Sequence, residues 1–231
     1  MNELNNTLVK YNMDNLTFIL PLFIENMNDY THFLFTINYL INVCPEANFI
    51  IHEIGDIDHL ENINHRKIKK IFTKASNINK KYYKTWCVSK ALEQIKTKII
   101  CIYDYNFLIP LNSIQNSLQY IFEGYSLVIP YSYGMYQKEI LNFKEECNFF
   151  IKSLNFNDFK IIKENNSMYG NIEFYDAISY IKLDCLNENI IDFEFLNEKK
   201  LFKMYSLDYK VKCLDNSYVW HLENYKIKEK K

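Results

Sequence analysis

The chain has 231 residues, 48% of them hydrophobic and 24% charged, which allows a sizeable core in one large domain or two small ones. A formal net charge of −1 argues against nucleic acid or an anionic membrane as the main partner, and no run approaches the roughly 20 apolar residues of a membrane span. The opening MNELNNTLVKYNMDN lacks the charged-then-apolar plan of a signal peptide, and Cys44, Cys87, Cys101, Cys147, Cys185 and Cys213 show no CxxC spacing, so the expectation is free buried thiols in a reducing cytoplasm rather than zinc or disulfides.

No repeat or linker divides the chain, so residues 1–231 read as a single domain. LTFILPLF (16–23) predicts a buried strand. Tyr30, Phe33, Leu34, Ile37, Leu40 and Ile41 then follow helical spacing, with Asn28 or Asp29 as the cap. ANFIIHEIGD predicts a second strand that breaks at Gly55-Asp56, and KIKKIF (67–72) a short third. Val88, Ala91, Leu92 and Ile95 predict another helix, with Trp86 in the core at its start, and the strand KIICIY follows. A helix over 111–122 and a strand in YSLVIPY (125–131) complete an alternation that implies a doubly wound, mostly parallel α/β sheet. The second half is less regular: helices over 138–154 and 195–205, a strand in GNIEFY, and closing strands in YKVKCL and SYVWHL.

In open parallel sheets, ligands sit beyond the carboxyl ends of the strands. Three such ends carry polar groups, at residues 21–25, 53–56 and 104–106. Neither GxGxxG nor GxxxxGK[ST] is present, so a bound phosphate needs another source of positive charge. Mg²⁺ or Mn²⁺ on the oxygens of Asp104 and Asn106 is one; Lys84, Lys90 and backbone amides are the alternative. Set against this, Asp-x-Asn is also ordinary turn chemistry, and the other histidines, His32, His52, His59 and His65, read as surface or rim residues without ligand spacing.

WCVSKALEQIKTKIICIYDYNFLIP, with its helix, strand and Asp-x-Asn-apolar-Pro, resembles the DxD segment of GT-A glycosyltransferases. LTFILPLF resembles the first strand of that fold and MYGNIEFY its acceptor-side strand. LNENIIDFEFLNEKKLFKMYSLDYKVKCL resembles the GxNExFxxWGxEDxExxxRLxxxGxKV block of the galactosyltransferase-like branch, and SYVWHL its terminal strand, ending in a histidine. The resemblance implies a GT-A-like fold with a nucleotide-sugar half (about 16–131), a small acceptor-side C-terminal subregion (about 132–222) and a basic tail (223–231). It implies a nucleotide-diphosphate sugar as donor, a glycan or other hydroxyl as acceptor, and inversion at the anomeric carbon. It places a metal, Mn²⁺ or Mg²⁺, on Asp104, Asn106 and His221, and the donor near Pro21, Glu53, Asp56, Asp104 and Tyr105. The catalytic acid pair of the block falls on Leu196-Asn197, so Asp192, Glu194 or Glu198 would have to be the base. Asn106 and Asn197, both where acids are expected, also fit a module that binds sugar, nucleotide or protein without turnover. Nucleotidyl transfer is a third reading, though it calls for two metal-binding acids and only Asp104 is so placed.

Overall fold

A computed structural model describes residues 13–75, 83–137, 159–162, 172–177, 179–180, 204, 208–215 and 217–224. A single 3₁₀ turn (Met13–Asn15) leads into β1 (Leu16–Leu22), α1 (Met27–Val43), β2 (Asn48–Gly55), β3 (Ile68–Lys74), α2 (Tyr83–Leu92) and β4 (Ile99–Tyr103). Then come β5 (Phe107–Leu108), α3 (Leu111–Phe122), β6 (Leu127–Ile129), β7 (Tyr133–Gln137), β8 (Phe159–Ile162), β9 (Ile172–Asp176), β10 (Val211–Cys213) and β11 (Tyr218–Asn224). The helices expected over 138–154 and 195–205 lie outside the described residues.

The main sheet has seven strands in the order β10-β6-β9-β4-β1-β2-β3. All of its pairs are parallel except those of β9, which runs antiparallel to both β4 and β6. β1, β4 and β6 are buried at every position, as strands covered on both faces must be. Pro21 is tolerated in a central strand because the β1–β4 ladder has already ended at the Ile19–Ile102 pair. Phe18, Phe49, Tyr103 and Phe174, from four adjacent strands, form one aromatic rank: Phe18 stacks on Phe49 at 5.3 Å and meets Tyr103 and Phe174 edge-on at 5.9 and 6.3 Å.

A second sheet, β5-β11-β7-β8, lies beyond the end of β4. The chain passes from one sheet to the other through Asp104, Tyr105 and Asn106. This sheet was not foreseen, although SYVWHL was: its strand pairs antiparallel with β5 and parallel with β7. YKVKCL instead joins the main sheet as β10, parallel to β6.

Helix α1 is capped by Asn26, two or three residues before the expected position. Asn26 Oδ1 accepts from the backbone of Asn28 and Asp29, and Asp29 returns a carboxylate to the Asn26 amide, completing a capping box. α2 starts earlier than its apolar spacing indicates. Trp86, expected in the core, is 43% exposed, whereas His32 and His52, expected at the surface, are buried. Cys44, Cys87 and Cys101 are buried free thiols. Among the described residues, no helix is long and apolar enough to cross a membrane.

Candidate functional site

After β1 the chain winds outward through β2 and β3, then returns to β4 on the other side of β1. The crevice between the carboxyl ends of β1 and β4 is therefore the switch point of the sheet, where such folds receive ligands. Asp104 is the first residue past β4, and it is buried (5% exposed). Its backbone carbonyl accepts from the Phe107 amide at 3.1 Å, and its Oδ1 accepts from the Asn106 amide at 3.0 Å. Both are turn bonds, and they aim the chain into β5. Oδ2 accepts from Lys84 Nζ, on the first turn of α2, at 2.5 Å. A carboxylate this buried needs such a cation, since an unpaired one would lose its hydration without return.

Asn106 faces elsewhere. Its Oδ1 accepts from His32 Nδ1 at 3.0 Å, and its carbonyl accepts from the Leu222 amide at 2.8 Å. The first bond ties the turn to α1 and the second ties it to β11. Two further bonds fix this segment to α1: Thr36 Oγ1 donates to the Tyr105 carbonyl in the turn at 2.7 Å, and Tyr39 Oη donates to the Ile109 carbonyl just past β5 at 2.8 Å. Tyr105 is buried and donates from its hydroxyl to the Phe23 carbonyl at 3.2 Å, across the switch-point crevice. His221 pairs with Phe107 in the β11–β5 ladder, so the terminal strand does deliver this histidine next to the turn, with its ring 4.5 Å from that of Phe107.

The metal expectation can be weighed on these groups. The set offers one carboxylate, one neutral amide and the imidazole of His221. Asp104 Oδ1, Asp104 Oδ2 and Asn106 Oδ1 each already accept from a donor of this chain. A divalent ion seated there would have to share those oxygens with their donors and lie against an ammonium. Among the described residues, no three His, Cys, Asp or Glu side chains converge as a metal set. As arranged, the donor set does not fit a divalent cation.

Beside this turn, a cavity of about 460 Å³ opens over the ends of β1 and β2, lined by Tyr30, Gly55, Asp56, Ile57 and His59 among others. Phe23 belongs to its wall, and the Phe23 ring lies 5.5 Å from that of Tyr83, the neighbour of Lys84. Met27 and Ile57, both in the lining, are 64% and 66% exposed, an unusual degree for large apolar side chains and one that suits a partner with a flat apolar face. Of the expected donor contacts, Asp56 is in this lining. Glu53 lies just beneath, 1% exposed, where it accepts from both the backbone amide of His59 (2.9 Å) and its Nδ1 (2.5 Å). Burial pushes the Glu53 carboxyl up and outweighs the lowering by His59. Glu53 thus holds the loop that forms one cavity wall. Pro21 is packed within β1, Tyr105 reaches the cavity wall through its bond to the Phe23 carbonyl, and Asp104 is outside the cavity lining. Asp192, Glu194 and Glu198 lie outside the described residues.

Sequence reasoning missed His32 as the partner of Asn106 and His59 as the partner of Glu53. The residue types gave no signal, because each bond depends on tertiary placement.

No family model matches the chain, and no curated protein matches it by sequence. Among solved structures it resembles 4-diphosphocytidyl-2C-methyl-D-erythritol synthase of Anaerococcus prevotii DSM 20548, with a TM-score of 0.50 and 12% identity over 87% of this chain and 88% of that one. A protein of Desulfovibrio desulfuricans G20, whose proposed class is nucleotide-diphospho-sugar transferase, aligns at a TM-score of 0.49 and 11% identity over 89% of this chain and 80% of that one. Likeness at such identity defines the fold alone: an α/β fold with a mostly parallel, doubly wound sheet, similar to that of the Anaerococcus synthase.

Proposed function

We propose that this chain binds a nucleotide-diphosphate sugar across the carboxyl ends of β1, β2 and β4 and transfers the sugar to a hydroxyl acceptor. The observation that supports this most is the place of Asp104: at the end of a central strand, in the switch-point crevice, next to Tyr105, whose hydroxyl bonds to Phe23 in the wall of a cavity of about 460 Å³. The base would lie against Tyr30 and Ile57, with the diphosphate extending past Phe23 towards Asp104 and Lys84. Inversion follows from the likeness to the galactosyltransferase-like branch, and it requires a base on the face opposite the leaving group. Asp192, Glu194 or Glu198 would be that base, taking the proton of the acceptor hydroxyl as it attacks.

A thermal-shift screen of nucleotide sugars tests the binding, since a ligand that binds only the folded chain raises its melting temperature. Tyr30→Ala should weaken the matching nucleoside by about 1–3 kcal/mol, the usual worth of an aromatic platform under a base. Donor turnover by alanine variants of Asp192, Glu194, Asn197 and Glu198 then locates the base. One acid variant should lose roughly 10²–10⁴-fold, with Asn197→Ala close to wild type. A second reading, a donor-binding module without turnover, is favoured by the bond from His32 to Asn106, which engages the amide where the family pattern has a second acid. Equal turnover across all four variants with donor binding intact would select that module.

A further inference from the structure

Resting on the nucleotide-sugar reading above, we infer that Lys84 is the resident cation of this site: its ammonium, in place of a divalent metal, meets the charge of the donor diphosphate. Four observations carry this. First, Lys84 Nζ already occupies a position beside Asp104 Oδ2, at 2.5 Å, that a metal bound to that carboxylate could take. Second, the partner residue that would complete a metal site is a neutral amide, and its oxygen is engaged by His32 at 3.0 Å. Third, the ammonium is the accessible member of the pair: the Lys84 side chain is 26% exposed and that of Asp104 is 6% exposed, so an arriving anion meets the cation before the carboxylate.

The fourth concerns the helix. Lys84 stands in the first turn of α2 (Tyr83–Leu92), at the positive end of the helix dipole. A lysine there opposes the dipole, so helix stability does not account for it. Ammonium and helix end together form a positive locus beside Asp104. A diphosphate is the anion such a locus would attract. Its route is short: Tyr83 contacts Phe23, which is in the wall of the cavity proposed for the nucleoside. A lysine ammonium is a compact point charge, well suited to phosphate oxygens.

The test is isothermal titration calorimetry of the full chain with UDP, GDP, CDP and ADP and with the matching nucleosides, each in EDTA and again with MnCl₂. At least one diphosphate should bind with the same Kd in both buffers. Lys84→Ala should weaken that diphosphate by about tenfold or more and leave the nucleoside unchanged, while Lys84→Arg retains most of the affinity. Asp104→Asn should tighten the diphosphate, because the competing carboxylate is gone; at a metal site the same change would abolish binding. If Lys84→Ala does not fold, Lys84→Met combined with Asp104→Asn leaves no buried charge, and its loss of diphosphate relative to Asp104→Asn alone carries the same comparison. A diphosphate that binds only with Mn²⁺, and not at all to Asp104→Asn, overturns the role of Lys84 while leaving the nucleotide-sugar reading in place. Failure of every nucleoside and diphosphate to bind, under either condition, removes that reading and this inference with it.

Discussion

His52 and Glu53 are consecutive residues of β2, both buried, and their titrations act on stability in opposite directions. His52 donates from Nδ1 to the Cys87 carbonyl at 3.1 Å, and its Nε2 is 3.0 Å from Thr73 Oγ1, a pairing that satisfies the neutral ring at both nitrogens. Burial lowers its pKa from 6.5, with a smaller contribution in the same direction from Lys90. Below 6.5 the unfolded chain binds a proton that the folded one resists, so the contribution of His52 is present above that pH and lost as pH falls. Glu53 is displaced upward from 4.5, so the folded chain keeps a proton that the unfolded one releases; that contribution is present below 4.5 and lost as pH rises through the folded-state value. Urea midpoints between about pH 4 and 8 should therefore show His52→Gln without the acid-side loss and Glu53→Gln without the decline above its ordinary range. Curves parallel to wild type for both variants would refute the assignment.

At the scale of elements, the turn from β4 to β5 is fastened to α1 by Thr36 and His32, and the chain just past β5 by Tyr39, all three buried, and the Thr36 bond is the one most cleanly removed. Thr36→Val keeps the shape and deletes the donor to the Tyr105 carbonyl. It should cost about 1–3 kcal/mol in chemical denaturation, because a buried carbonyl loses its donor, while nucleoside binding in the cavity stays as it is. An unchanged midpoint would mean the turn holds itself. The helices and long strands were legible in the sequence because their apolar periods are set by burial on α1, α3, β1, β2 and β4. The cap of α1 was not, since in ENMND the choice among neighbouring Asn and Asp residues is made by which side chain and backbone pair reciprocally. β5 was hidden by its two-residue length. Likewise, the nearness of Asp104, Asn106 and His221 was implied by the family resemblance of their segments, but the direction of the Asp104 and Asn106 side-chain oxygens was not. Those oxygens answer to His32 and Lys84, which are 74 and 20 residues away along the chain from their partners.

For the molecule as a whole, the alternation of strand and helix identified the doubly wound sheet, while the second sheet and the reversed strand β9 depended on pairings no local pattern encodes. β9 also sets the order in which the protein can be completed. Within the main sheet, β6 has only β9 and β10 as neighbours, and the second edge of β4 is closed by β9. A nascent chain that has emerged through β7 can assemble β3-β2-β1-β4, yet β4 then presents an open row of amides and carbonyls along IICIY, and β6 has nothing to lie against. Synthesis must reach Asp176 before that edge is sealed. Such a delay selects for a late, fast insertion or for a chaperone that covers the edge meanwhile. A fragment ending at Gln137 should therefore self-associate in sedimentation velocity, with added strand signal in circular dichroism, under conditions where the full chain does not; a monomeric, folded fragment would show that β4 tolerates its bare side.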